Sequence, residues 1–308
     1  MIKKTILLIT LVFFFLNKDL FAEIKIIVSV DDEIITNHDI KKENNYLEIL
    51  NPNFIRLKKS QRLEIAKNYL IDQIIKEKEA KKFLNFENND EIINDYIKNL
   101  YQKLNFVSQE EFEKSLNQKE DYNLFEIKEK IKMELLWNEL IYFKYNNQVK
   151  IDKKLILKKV NEIQNSTKKE FLLSEIVFTK KKGVAVKKFF EEIMLSIQEI
   201  GFNNTANIYS NSDSAKFGGK IGWISEISLS KQINKELENK KKGEYTDLIK
   251  IGNNFLILKI EDIKIENSII DEQKEIEKLI KLETNSQLNK FSKIYFNKVK
   301  LNYLIDEK

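Results

Sequence analysis

The sequence predicts an α+β protein, mostly helical, with a strand at each end of the chain and one sheet-bearing domain inserted between helices. Three observations carry that prediction. Only seven glycines and one proline (Pro52) occur in 308 residues, too few for a turn-dense all-β fold. Apolar residues repeat at helical spacing up to about residue 165, switch to short extended runs from about 169, and return to helical spacing after about 264. A lone alternating run stands at each end, and each needs a partner; pairing with each other is the economical solution. The length fits two domains at roughly 150 residues each. A 42% hydrophobic content supplies real cores.

The elements follow in order. Residues 1–22 read as a secretory signal: Lys3 and Lys4 form the positive end, Thr5 to Leu16 an apolar run, and Ala22 a cleavage point. The run is too short for the roughly 20 apolar residues that span a bilayer. In Glu23–Val30, Ile24, Ile26, Val28 and Val30 alternate, which predicts a strand, with Asp31-Asp32-Glu33 as the turn after it. Thr36 and Asp39 stand at capping-box spacing before a helix that Pro52 ends. Leu63, Ala66, Leu70 and Ile74, widened by Ile71 and Ile75, stripe a long helix from Ser60 to about Phe83. Helices are predicted over about 90–104, over 108–116 behind Ser108, over a long stretch from Leu124 through Phe143, and over about Lys153–Gln164. Phe171–Phe178 then reads as a strand, Lys180–Gly183 as a turn, and the Val186, Phe189, Ile193, Ile197, Ile200 stripe as a helix. Thr205–Tyr209 is a short helix, Ser210–Gly222 a polar, glycine-rich loop, Trp223-Ile224 a short extended piece and Phe255–Ile260 a strand. A helix from about Ile270 to Tyr295 precedes Val299, Leu301 and Tyr303, whose alternation predicts the terminal strand. The implied units are a signal over 1–22, a helical domain over 23–168, a sheet domain over 169–263, and a C-terminal helix and strand over 264–308 that return to the helical domain.

Composition excludes many functions. With no cysteine there is no disulfide, thiolate metal site or cysteine nucleophile. The single histidine, His38, excludes any site that needs two imidazoles, and at a helix start it reads as a surface residue. The 53 basic and 48 acidic residues are interspersed, giving +5, and removing 1–22, with its three lysines and one aspartate, leaves +3. Only Arg56 and Arg62 are arginines, so no nucleic-acid partner is expected. Lys180–Lys182 and Lys240–Lys242 read as solvated turns. Gly218-Gly219-Lys220 is followed by Ile221 and lacks the upstream glycine of a phosphate loop, so its glycines serve tight turning.

Three segments carry a resemblance: Leu172–Phe178, the loop Tyr209–Trp223 with its Ser-Ala-x-x-Gly-Gly-x-x-Gly-Trp pattern, and Gly252–Ile260. Together with the Lys242-Gly243-Glu244 turn they look like a parvulin domain, a peptidyl-prolyl isomerase with a four-stranded sheet and surrounding helices. The helical part, from Val28–Thr36 through Tyr69–Ile75, resembles the N-terminal domain of the SurA-like periplasmic chaperones of outer-membrane β-barrel precursors. The chain has room for one parvulin unit.

The parvulin resemblance places the two family histidines on Glu175 and Leu256, or on Asn254 if the last strand is shifted. The family's cysteine or aspartate falls on Ser212, beside Asp213. Its apolar proline pocket falls on Leu229, Ile233, Trp223 and Phe255. Neither histidine survives, so the resemblance implies a degenerate isomerase site of weak or absent activity. The SurA-like resemblance implies a client groove between the helical domain and the late helix, with Phe83, Phe86, Tyr96, Leu100, Phe106, Phe112, Phe291 and Tyr295 as candidate lining. The expected function is that of a periplasmic holdase for unfolded outer-membrane protein precursors, with the β-barrel assembly machinery as a further partner. No cofactor, no metal and no stable membrane insertion after signal cleavage are expected. Two other readings stay open: an active parvulin isomerase with substituted site residues, and a foldase tethered by a retained N-terminus.

Overall fold

The computed structural model describes residues 24–84, 90–117, 122–163, 168–180, 183–266 and 271–308. The signal reading over 1–22, Phe86 and the Lys181-Lys182 part of the predicted turn lie outside the described residues.

Strand β1 (Ile26–Val30) turns through Asp31 and Asp32 into β2 (Glu33–Thr36), a hairpin strand where the sequence reading had only a turn and a helix cap. Val28 and Val30 are fully buried, so the inward face of β1 is the one the alternation marked. Thr36 caps α1 (Asn37–Leu50): its hydroxyl accepts from the Asp39 amide, and the Asp39 carboxylate accepts from the Thr36 amide at 2.8 Å. Aspartate thus completes a capping box usually built with glutamate. A 3₁₀ turn over Pro52–Arg56 follows, then α2 (Lys59–Lys81), α3 (Asp90–Lys103), α4 (Gln109–Asn117), α5 (Leu124–Tyr145) and α6 (Lys153–Ile163).

The long strand β3 (Lys168–Thr179) opens the sheet unit. Helices α7 (Val186–Ile200) and α8 (Phe202–Tyr209), a 3₁₀ turn over Asp213–Phe217, β4 (Lys220–Ser225), a 3₁₀ turn over Glu226–Ser228, α9 (Lys231–Leu237), β5 (Ile249–Ile251) and β6 (Asn254–Glu266) complete it. The sheet is antiparallel throughout, in the order β4-β3-β6-β5. Ile176, Phe178 and Ile257 bury one face beneath Phe189, Ile193 and Ile197 of α7. Leu173, Leu256, Leu258 and Ile260 bury the other against Leu237, Leu229 and Ile233.

Helix α10 (Glu272–Lys300) returns to α2, α5 and α6, and β7 (Ile305–Glu307) pairs antiparallel with β1. The two chain ends therefore share one three-stranded sheet, β2-β1-β7, as the two lone strands required. The closing strand lies later than the Val299, Leu301, Tyr303 alternation placed it. Val299 and Tyr303 are both buried but stand four residues apart, one helical turn, while Leu301 between them is 86% exposed. Among the described residues no helix is long and apolar enough to cross a membrane.

Candidate functional site

Successive side chains of a strand point to opposite faces. Leu173, Glu175 and Val177 of β3 therefore share one face, and the pairing of Glu175 with Leu258 and of Val177 with Leu256 sets the β6 residues beside them. Leu229 precedes α9 and Ile233 lies on it, and both pack over this face. Asn254, two residues before Leu256, lies on the same face at the level of Thr179. Trp223 and Phe255, expected in the pocket, lie on the other face. Trp223 pairs with Leu172, and Phe255 stacks on Phe178 with ring centroids 5.7 Å apart. Each directly adjoins a residue that faces the pocket side or pairs with one, and alternation turns it away.

The polar centre is a carboxylate held by serines. Glu175 is half-buried, and its Oε1 accepts hydrogen bonds from the hydroxyls of Ser212 and of Ser214, the latter at 2.9 Å. Ser212 is the position on which the parvulin resemblance places the family's cysteine or aspartate. Ser214 opens the Ser-Ala-x-x-Gly-Gly pattern without an expected site role, and the tight 3₁₀ turn after Ser212 brings it round to the same oxygen. The loop is laced to β3 where β4 has stopped pairing. The Glu175 amide donates to the Gly219 carbonyl (2.8 Å), the Val177 amide to the Ser210 hydroxyl (3.0 Å), and the Asn211 amide to the Val177 carbonyl (2.6 Å).

The same loop touches the helical unit. The buried Asn207 donates through Nδ2 to the Ala215 carbonyl (2.7 Å) and accepts at Oδ1 from Nδ2 of the buried Asn51 (2.6 Å). Lys216 pairs with Glu134 of α5, and Lys103 of α3 lies 4.0 Å from the centroid of the Phe217 ring. Burial pushes the Lys216 ammonium down, but Glu134, with Asp213 and Glu43, outweighs it and holds the group above its ordinary value. Burial likewise pushes the Glu134 carboxyl up, and Lys216, Lys76 and Lys130 bring it below its ordinary value.

A second concavity belongs to the helical unit alone. An open groove of about 790 Å³ runs between β2, α2 and α5, lined by apolar Ile34, Leu70, Ile74 and Met133 and by charged Lys42, Glu77, Glu126 and Lys130. Glu43 accepts from the Lys130 ammonium (2.6 Å) and the Tyr122 hydroxyl (3.1 Å) at its edge. Among the described residues, none of the expected groove aromatics lines it. Phe291 stacks on Tyr145 at 4.9 Å, Tyr295 stacks on Trp137 at 5.8 Å, and Phe112 is core, 5.5 Å from Phe106. Phe83 and Tyr96 are about half-exposed, with the Lys144 ammonium 3.6 Å from the Phe83 ring centroid, and Leu100 is half-buried against the helical core. The available signal was the width of the α2 stripe: Ile71 and Ile75 face the core, which leaves Leu70 and Ile74 half-buried beside the groove.

Residues 156–262 match the family model described as rotamase, the PPIC-type PPIASE domain. No curated protein compared with the chain matches it. Among solved structures, a PpiC-type peptidyl-prolyl cis-trans isomerase domain is similar at 22% identity, covering 33% of this chain and 96% of that one, with a TM-score of 0.30. PrsA from Bacillus subtilis is similar at 18% identity over 89% of this chain and 91% of that one, with a TM-score of 0.29. A structure described with two SurA-like chaperones of Campylobacter jejuni is similar at 16% identity over 92% and 98% of the two chains, with a TM-score of 0.34. TM-scores in this range carry no functional weight. The family match spans the four-stranded sheet and its serine-held carboxylate, and the chain carries a PPIC-type, parvulin, peptidyl-prolyl isomerase domain within residues 156–262.

Proposed function

We propose that the protein is a periplasmic holdase that keeps unfolded outer-membrane β-barrel precursors soluble, with a parvulin domain that contributes an auxiliary peptide-binding face and little isomerisation. The groove between β2, α2 and α5 carries this reading. Its apolar lining is interleaved with lysines and glutamates, which complements extended segments that alternate apolar and polar residues. It is bordered by β2, an edge strand whose Ile34 is 53% exposed, so an extended client meets a strand edge as well as apolar side chains. The signal-like residues 1–22 support export, and release to an assembly machinery fits binding that is weak per contact.

Isomerisation needs the twisted amide bound more tightly than the planar one. The positions of the two family histidines hold Glu175 and Leu256, and a carboxylate beside a leucine does not rebuild that hydrogen-bonding pair. The test dilutes a urea-unfolded outer-membrane β-barrel into buffer and follows light scattering. Mature 23–308 suppresses scattering, and a variant carrying Ile34→Ser and Met133→Gln in the groove loses most of that effect, whereas Glu175→Gln retains it. Scattering that mature protein leaves unchanged would sink the holdase reading. Exchange NMR on an Xaa-Pro peptide is expected to give cis/trans exchange close to the uncatalysed rate, and strong acceleration would restore the isomerase reading.

A further inference from the structure

The hydrogen-bonding capacity at the Glu175 end of the parvulin face is one-sided. A serine hydroxyl has one hydrogen to donate. The hydroxyls of Ser212 and Ser214 both spend theirs on Oε1 of Glu175. What they leave toward a ligand is lone pairs. The carboxylate is acceptor-only, with about four lone-pair sites. Among the described residues no lysine or arginine forms an ion pair with it, and both serine bonds go to one of its two oxygens. The apolar side chains on this face, Val177, Leu256, Leu258, Leu229 and Ile233, offer no donor, and the donors the face does carry, Thr179 and Asn254, pair with each other further along β3, beyond Val177.

A ligand that satisfies this centre must bring hydrogens and, best, positive charge. A prolyl amide brings neither, since its nitrogen has no hydrogen and its carbonyl is a further acceptor. A lysine or arginine side chain brings both, and its aliphatic stem matches the leucine and isoleucine walls. We propose that the parvulin face is a subsite for a cationic side chain, with Glu175 as its specificity-determining residue, taking lysine or arginine from an extended segment flanked by apolar residues. This rests on the reading that the parvulin face takes extended peptide.

The experiment is calorimetric titration of mature 23–308 with three blocked pentapeptides, Ala-Leu-Xaa-Leu-Ala, in which Xaa is lysine, norleucine or proline. The lysine peptide is expected to bind about tenfold more tightly than the norleucine peptide, as charge-assisted hydrogen bonds exceed apolar contact alone. That preference should shrink between about 20 and 300 mM sodium chloride, and vanish in Glu175→Gln. Should that variant fail to fold, the carboxyl carbon-13 resonance of Glu175 in the unaltered protein reads the same contact: it shifts with the lysine peptide and stays with norleucine. Equal binding of lysine and norleucine peptides, or tighter binding of the proline peptide, would overturn the cationic subsite while leaving a peptide-binding face. Binding of none of them would overturn both, and the scattering assay on the helical groove would stand apart from either result.

Discussion

Gly219 shows how closely the site loop is fitted to β3. Its φ is +82°, and a Cβ built on it would lie 2.4 Å from the Glu175 carbonyl oxygen. The Glu175 amide already donates to the Gly219 carbonyl, so this is backbone against backbone and neither side has a flexible group to yield. Gly201 is the useful contrast, with φ +84° but nothing within 4 Å of its added Cβ. Gly201→Ala should therefore cost only the backbone strain, about 2 kcal/mol. Gly219→Ala should cost about 4 kcal/mol, because a forced displacement of β3 adds to the same strain. Urea unfolding of the two variants reads the difference, and equal losses would mean the loop is not gripped as described. At this scale much of the site was legible. The parvulin resemblance placed candidate site positions on Glu175, Ser212, Leu229 and Ile233. It gave Ser214 no role because a tight turn, rather than spacing along the chain, brings that hydroxyl to Glu175, and it put Trp223 and Phe255 in the pocket because proximity in sequence ignored the alternation of strand faces.

Among the elements, α10 is held to α2 and α5 by aromatic stacking and by one buried carboxylate. Glu79 of α2 accepts from the hydroxyls of Tyr295 (2.5 Å) and Tyr303 (3.2 Å) and from the Lys82 ammonium (2.8 Å). Burial pushes its carboxyl up, but those donors outweigh burial and hold it below its ordinary value of 4.5, while the Lys82 ammonium is pushed up to about 12. A carboxyl with a depressed folded pKa stabilises the fold above its unfolded value and loses that contribution as pH falls through the folded one. The melting temperature of the unaltered chain should therefore fall more steeply below pH 4.5 than that of Glu79→Gln, with the two curves converging in acid. Parallel curves would show that Glu79 does not tie α10 down. The sequence marked α10 by its period but ended it early, because Val299 and Tyr303 satisfy a strand and a helical turn alike until burial distinguishes them.

Across the whole molecule, the hydrogen-bonded pair Asn51 and Asn207 joins the helical unit to the turn that carries Ser214. Both asparagines are buried, so removing one leaves polar groups without partners. Asn207→Ala should cost about 2 kcal/mol, since it strands the buried side-chain amide of Asn51 and leaves the Ala215 carbonyl with the Gly218 amide as its donor. It should also speed hydrogen exchange at the Gly218 and Gly219 amides, which donate to Ala215 and Ser214 and so report the turn. Unchanged exchange at those two amides would show that the turn holds itself without the helical unit. The sequence alone determined the helix periods, the capping box at Thr36, the demand that two lone strands find partners and the loop motif of the parvulin sheet, because each is written in neighbouring residues. Only the tertiary structure decided which side chains converge. Of the aromatics expected in a client groove, Phe291 and Tyr295 went to the seam between α5 and α10, Phe106 and Phe112 went to the helical core, and a different groove opened beside β2. Which face a half-buried side chain serves depends on what packs across from it, and those partners lie tens to hundreds of residues away along the chain.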